Sequence, residues 1–566
     1  MQAAVRVFYQ GELHARNSFG SASGESAGDN DAPVQRDQEG HPMLAGTGLA
    51  GVLRSLSSRC AGWMGEVACD PNRTGGGCGE CLCCSLFGSA KTAASHLFVD
   101  HARMHPEDRV LETEKRERVS IERCTRTASP TRSQKFNREL VPAGARFLLR
   151  LEHHLPESEA EQVREEALLA QTLALLMERE DGVPFGGGTG VGLGCLRLQN
   201  LRSRRLDLRS PADLEILLAG RQDPDQPVEL PTLLARATAL PPSTAAPGRR
   251  PAQVTFRGRL RPLGPLLVQA TIEQSPRNPQ TPPQIEGVEV QPIERRDMDA
   301  DFFRTSCVRD NKRQSLPCLP GSGLKGVLRT HAEAILRTRG CTACDPACRT
   351  SEPLQACDSR LNTRNLDLED PEVVFGPHGL CPACTLFGST LAAGALVPDD
   401  ALPRHPEAFV SRLKHLDFVS LDRWTQAPRD QARFDARVFF PHSLDDEFGD
   451  LDFCLRLDLR ERFSWHLAMV AFLLRDLAAG RLHFGYGKQK GQGRVRLLLD
   501  QVEWEGPADS SAWGVQAQAR GWVGRATWTA QEGADRLWFL DPDAPPGQLL
   551  RRGLEAWASL RPGGAQ

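Results

Sequence analysis

Apolar residues recur along this chain in two rhythms, and both rhythms come round twice. Val5 to Leu13 alternates apolar and polar residues with the period of two that a half-buried strand requires. Glycines then precede Thr47 to Leu56, whose apolar positions return at helical spacing. "GARFLLRLEHHL" and "GDLDFCLRLDLR" alternate again as strands, and "ESEAEQVREEALLAQTLALLMER" and "RFSWHLAMVAFLLRDLAA" read as amphipathic helices. Within each half the order is strand, long loop, helix, cysteine-rich insertion, irregular and extended chain, strand, helix, glycine loop, strand. That order predicts a ferredoxin-like βαββαβ unit with large insertions, and an α+β fold class.

The two halves match block by block. Tyr9-Gln-Gly-Glu-Leu13 answers Phe256-Arg-Gly-Arg-Leu260, and Gly46-Thr-Gly-Leu-Ala-Gly-Val-Leu-Arg54 answers Gly321-Ser-Gly-Leu-Lys-Gly-Val-Leu-Arg329. "CGECLCCSLFGS" from Cys78 answers "CPACTLFGST" from Cys381, and Val119-Ser-Ile-Glu-Arg123 answers Val419-Ser-Leu-Asp-Arg423. Phe185 to Gly194 aligns without a gap on Phe484 to Gly493. The expected organisation is a first module over 1–200, a Pro/Ala/Ser-rich linker over 201–250, a second module over 251–505 and a C-terminal extension over 506–566. Six of the nine tryptophans lie from Trp504 onward, too many apolar rings for a disordered extension, so the extension is expected to pack on the body or on a neighbour.

At 566 residues the chain is long enough for two to four domains. It holds 40% hydrophobic and 25% charged residues with no apolar run near the ~18 that a membrane span needs, and the first residues lack the apolar core of a signal peptide. A soluble, cytoplasmic protein is expected, with no membrane partner. A net charge of −3 gives no whole-protein basic field, which leaves room for a basic groove on a neutral body.

Seventeen cysteines in CxxC-type clusters point to metal rather than disulfides in such a setting. Cys78, Cys81 and Cys84 have the spacing that converges thiolates on a tetrahedral zinc, with Cys69 upstream as the fourth. In the second half His378, Cys381 and Cys384 repeat the pattern, His378 standing in register with Cys78. The remaining ligand lies among Cys341, Cys344, Cys348 and Cys357, of which Cys357 is chosen; alternatively those four hold a separate ion. Four protein ligands leave no open position for water, so the zinc is structural, about one per module. Cys60 and Cys83 read as spare, and Cys124, Cys195 and Cys454 as small buried residues.

The glycine loops let backbone approach a phosphate, with a ligand-free tight connection as the competing reading. Neither is GxxxxGK[ST], and each precedes a strand, which disfavours nucleotide triphosphatase chemistry. Glycines at a helix start leave amides free for an anion. Arg54, Lys325 and Arg329 lie just beyond, with Arg123, Arg423, Lys488 and Lys490 in other matched blocks and Arg126, Arg132 and Arg494 following them. With Gly188 and Gly487 they outline a phosphate-tracking groove for single-stranded RNA. The aromatic signature of a base-stacking RNA-recognition motif is missing, so backbone contacts are expected to dominate.

The order of acidic loop, G[ST]GLxGxLR helix, cysteine knuckle with LFG, VS[IL][ED]R segment and glycine loop resembles the RAMP superfamily. It is most similar to the zinc-knuckled backbone subunits of type III CRISPR interference complexes, in the fused arrangement of type III-D systems. The resemblance spans roughly 5–200 and 252–500. It implies RRM-like modules that grip a guide RNA by its backbone, and a thumb hairpin that displaces a base of the guide:target duplex. It further implies a loop Asp that cuts target RNA with Mg2+ or Mn2+, and other type III effector subunits as partners. Asp31, in Asp31-Ala-Pro-Val-Gln-Arg-Asp37, falls on the cutting position. In the second half Ser306-Cys-Val-Arg-Asp310 sets Asp310 opposite Asp37 and Arg304 opposite Asp31, with Asp297, Asp299 and Asp301 just upstream; Asp301 is chosen if this half cuts, the alternative being a half that has lost its carboxylate and only holds RNA. Three other readings compete: a non-catalytic guide and target scaffold, a guide-processing ribonuclease using His and Tyr, and a zinc-ribbon DNA-binding protein.

Overall fold

The structure, a computed structural model, describes residues 4–560 apart from 22–30, 72–73, 91–93, 120, 122, 124–134, 240–251, 271–299, 310–311, 349–353, 363–369, 377, 510–512, 521, 532–534, 536, 542 and 544. Strand β1 (Val5–Ala15) buries Val5, Val7, Tyr9, Leu13 and Ala15 on one face. Helix α1 (Gly46–Trp63) lays Leu49, Leu53, Leu56 and Cys60 over that face at steps of three and four residues. The chain continues through β2 (Leu97–Val99), β3 (Ala102–Met104), β4 (Arg146–His154), α2 (Glu159–Glu178) and β5 (Cys195–Asp207). Antiparallel pairing gives the order β5-β1-β4-β3, with β2 also on β4. Taking β2 and β3 together as the second strand, this is the 4-1-3-2 order of a ferredoxin-like unit.

The second module repeats it with β6 (Ala252–Pro262), α3 (Gly321–Thr338), β7 (Leu396–Pro398), β8 (Leu451–Leu459), α4 (His466–Ala478) and β9 (Val495–Pro507), ordered β9-β6-β8-β7. The expected α+β architecture of two tandem modules is therefore present. One repeated residue shows why the sequences had to match. Register slips beside Gly11 where β1 meets β5, and beside Gly258 where β6 meets β9. A Cβ on Gly11 would sit 2.7 Å from the Leu198 side chain, and one on Gly258 2.2 Å from the Leu498 carbonyl oxygen. Both face a bulge of the neighbouring strand and press on it.

The modules meet along a polar and tightly packed seam. The first glycine loop lies against the start of α3: a Cβ on Gly192 would be 2.4 Å from Pro398 O, and one on Gly321 2.5 Å from Val191 O. Lys325 on α3 donates to Gly190 O at 2.5 Å. Arg116, only 4% exposed, bonds Asp400 at 2.7 Å and Thr305 at 2.7 Å. Thr305 belongs to a second-module hairpin, Arg304–Arg309 with Lys312–Pro317, whose Val308 amide reaches Ala143 O at 2.6 Å. Further ion pairs join Asp181 to Arg257 and Arg179 to Glu505. Such partnered, buried charges fix register more than they add stability, and stripping one partner costs about 3–5 kcal/mol.

Chain that reads as linker is ordered at its start. Leu201 to Asp207 is the second half of β5, and helices Pro211–Leu218 and Leu230–Ala237 follow, the latter burying Leu233 and Ala237 in the first core. The C-terminal extension does pack on the body, and on both modules. Its strands β10 (Gln518–Arg520) and β11 (Val523–Thr529) extend the second sheet beside β9, while Trp522 and Val523 insert in the first module's core. Helix α5 (Pro545–Ser559) sets Trp557 against Phe472 and under the Arg339 guanidinium. No helix among the described residues is long and apolar enough to cross a membrane.

Because Trp522 is 1% exposed and bridges the modules, Trp522→Ala is expected to cost about 3–5 kcal/mol. Denaturant unfolding should show the loss as a lowered midpoint. Leu218→Ala, on a helix whose Leu218 is exposed, should leave the midpoint unmoved.

Candidate functional site

In the first module a short helix, Leu82–Phe87, starts at Cys81 and brings Cys84 back toward Cys69 and Cys78. The four sulfurs lie within 4.8 Å of one another, with Cys69 and Cys84 3.4 Å apart and Cys78 and Cys84 4.0 Å apart. A tetrahedral zinc with ~2.3 Å bonds needs sulfurs at that order of spacing. The amides of Glu80 and Cys81 donate to Cys78 and hold its thiol down at about 6, favouring the thiolate that a metal requires. Burial pushes Cys60 up to about 12 and Cys83 up to about 11, which keeps both as inert thiols.

The second cluster is Cys344, Cys357, Cys381 and Cys384, all buried and again within 4.8 Å. His378 stands outside it and offers only its carbonyl, to Arg360 at 3.2 Å. The cause is the longer chain between α3 and Cys381. Cys344 and the helix Cys357–Asn362 supply two sulfurs from that segment, so the position in register with Cys78 is not needed.

The arginines that end the repeated GVLR segments belong to these clusters. Arg54 Nη1 donates to Gly88 O at 2.9 Å and Nη2 to Cys84 Sγ at 3.1 Å. Arg329 does the same with Gly388 O at 2.9 Å and Cys384 Sγ at 3.2 Å. Each guanidinium ties its module's first helix to the LFG glycine and places a positive charge beside a clustered cysteine sulfur. These two therefore hold the knuckles, and Arg54 also lines an open polar recess with Gly76, Gly88 and Ser95. Lys325 is likewise engaged at the seam, where burial, then Arg329, pulls it down to about 8. Arg123 pairs with Glu333 of α3 at 2.9 Å. Arg126 and Arg132 lie outside the described residues. Arg423, Lys488 and Lys490 are exposed.

The glycine loops share one conformation. Gly186, Gly188, Gly192 and Gly194 have positive φ, as do Gly485, Gly487, Gly491 and Gly493, so the four matched glycines are those the turn needs. Between them Thr189–Val191 is covered by the second module, whereas Lys488–Lys490 is open, which explains why only the second loop carries lysines. Beside the first loop Arg138 Nε and Nη1 and Arg118 Nε are buried with no hydrogen-bond partner among the described residues. Burial, then the charges of Arg138 and Arg116, lowers Arg118 to about 10. A Cβ on Gly187 would lie 2.6 Å from Arg138 Nη1. Such a cationic recess against bare backbone suits a phosphate.

The acidic loop docks on a hairpin in each module. In the first, Glu114–Val119 pairs with Lys135–Leu140, and the loop runs along the latter. Asn137 N donates to Asp31 Oδ2 at 2.8 Å, Glu139 N to Ala32 O at 3.1 Å, Val34 N to Glu139 at 2.8 Å, and Arg36 to Glu139 at 2.5 Å. Asp31 stays exposed at the edge. Asp37 turns inward and caps its own loop through the amides of Glu39 and His41.

In the second module Leu413–Leu421 pairs with Pro428–Phe439, and Arg437 N donates to Ala300 O at 3.1 Å. Ala300 is thus the counterpart of Ala32, and Asp299-Ala-Asp-Phe302 answers Asp31-Ala-Pro-Val34, with Phe302 and Val34 both buried. Asp301 takes the place of Pro33. Its carboxylate accepts from the Phe302 amide at 2.7 Å and pairs with Arg437 at 3.6 Å, reversing the charges of the Arg36–Glu139 contact. Setting Arg304 opposite Asp31 fails because the hairpin 304–317 is longer than its first-half counterpart, where Arg36 bridges Pro42, so Arg304 answers Arg36. Asp297, Asp299 and Asp310 lie outside the described residues.

Two features escaped the sequence reading. The tip of the second hairpin is capped by Asp422, which accepts from Trp424 N and Thr425 N at 2.9 Å, and it presents Trp424 95% exposed. His415 Nε2 bonds Asp435 Oδ2 at 2.8 Å on the hairpin face where the loop docks. Period-two alternation through "LKHLDFVSL" would have found that face.

A family model described as the RAMP superfamily matches residues 13–197 and 303–496, together more than half of the chain. No curated protein matches it.

Metal analysis of the purified chain should find two equivalents of zinc. Cys344→Ser should lose one of them and His378→Ala neither. Arg329→Met should hasten zinc transfer to a chelator by roughly tenfold, as loss of an outer-shell partner does.

Proposed function

The chain belongs to the RAMP superfamily of CRISPR-associated RNA-binding proteins, and on that premise we propose that it is two fused backbone units of a type III, III-D-like interference complex. In this reading it holds a guide RNA and cuts complementary RNA beside Asp31. The observation that carries the reading is the loop-on-hairpin site next to an unpaired cationic recess. Phosphates track Arg118, Arg138 and the glycine loop in the first module, and Lys488 and Lys490 in the second.

The two tetracysteine clusters hold structural zinc. With four sulfurs each they leave no position for a reacting water, so they shape the modules and take no part in the reaction. At the cutting loop Asn137 fixes one oxygen of Asp31 and leaves the carboxylate exposed at the edge of the hairpin, where it orients the ribose 2′-hydroxyl toward the adjacent phosphorus. A divalent ion bound there would supply positive charge to the phosphate oxygens. Base pairing reads sequence while the protein reads backbone. Asp301, tied to Arg437, holds the second loop in place and does not cut.

In the assembled complex Asp31→Ala should lower cleavage of complementary RNA at one position by at least ~100-fold while guide and target binding stay within about threefold. Unchanged cleavage would leave a scaffold that binds guide and target without cutting. Lys488→Ala with Lys490→Ala should flatten the salt dependence of RNA binding by about 0.7 log units per lysine, the value for single strands.

A further inference from the structure

On the reading just given, we propose that the second module cuts RNA by a different chemistry, with His415 and Asp435 as an acid-base pair. The hairpin register makes Lys115 and Asn137 of the first module the counterparts of His415 and Asp435. Lysine and asparagine cannot form such a pair, so the two sites differ in kind at equivalent places.

His415 Nε2 and Asp435 Oδ2 are 2.8 Å apart, the imidazole is 42% exposed, and Asp435 is 16% exposed. The pair lies beside the docked loop, since Ala300 N donates to Asp435 O at 3.1 Å. Asp417 shares the face, with a carboxylate oxygen within 4.8 Å of both. Arg437 and Asp301, paired with each other, complete the charges around the imidazole.

A histidine whose Nε2–H is donated to a carboxylate keeps an Nδ1 lone pair for a proton and is stabilised once it gains one. His415 Nδ1 takes the proton of a ribose 2′-hydroxyl. The 2′-oxygen forms a bond to the adjacent phosphorus, and the P–O5′ bond breaks. The 5′-oxygen leaves with the electron pair and takes a proton from water, and the imidazolium returns its proton to solvent. The products are a 2′,3′-cyclic phosphate and a 5′-hydroxyl, and the step consumes nothing else.

The test uses the complex purified with its guide RNA and a complementary target labelled at both ends. Magnesium is replaced by hexaamminecobalt(III), which screens phosphates without offering a ligand position. The expected result is that the Asp31-dependent fragment vanishes and a second fragment persists. His415→Asn should lower the second cut at least ~100-fold while leaving the Asp31-dependent cut in magnesium intact. Asp435→Asn should lower it less, since the imidazole then loses its carboxylate partner but keeps its place on the hairpin. Asp31→Ala isolates the second cut on its own.

A second cut that needs magnesium, or that survives His415→Asn unchanged, overturns the proposal. A single Asp31-dependent cut in the unaltered complex also overturns it and leaves the parent reading standing. No cut at any position removes both.

Discussion

The structure depends on one close contact: the first glycine loop seated against the start of the second module's helix, where Gly192 and Gly321 bring backbone to backbone. Neither position has room for a Cβ, so the two modules meet at one distance and in one orientation. Around that contact Lys325, Arg116 and the pairs with Asp181 and Glu505 are all partnered, so any slip along the seam would leave a buried charge without its counter-ion. The tail adds a second tie by placing Trp522 in one core and β11 in the other sheet. Two loop-on-hairpin sites are thereby held in fixed relation along the chain.

Conserved architecture and divergent chemistry are separable within the repeat. What recurs is what the backbone demands: the glycine facing the neighbouring strand's bulge, the four left-handed glycines of the loop, and an arginine linking helix, LFG glycine and cysteine sulfur. What varies is what the surroundings permit. The first glycine loop is Thr-Gly-Val because it is covered, and the second is Lys-Gln-Lys because it is open. The Arg36–Glu139 contact of one module becomes Asp301–Arg437 in the other, which keeps the docking while exchanging the signs.

Much of this was legible in the sequence because it is periodic or repeated. Alternation gave the sheet strands, and cysteine spacing gave Cys78, Cys81, Cys84, Cys381 and Cys384 directly, with Cys69 and Cys357 chosen from the cysteines upstream. Harder were residues whose role is set by a partner far along the chain. The knuckle bonds of Arg54 and Arg329 come from residues 30 or more positions further along the chain. Cys344 is one of several candidate sulfurs until the insertion closes. Asp301 resembles a cutting residue until the hairpin register puts Ala300 opposite Ala32. An ungapped alignment could not see that the hairpin 304–317 is longer than its counterpart 36–42, and that difference displaced the comparison of the two acidic loops.

The central claim is that two equivalent modules meet one RNA strand at two fixed places. Photo-crosslinking from residue 31 and from its sequence counterpart, residue 299, to the bound target tests it most directly. The expected result is one crosslinked nucleotide for each residue, the two separated by a constant interval whatever the guide sequence. Crosslinks from both residues to the same nucleotide, or to positions that shift from guide to guide, would contradict the account.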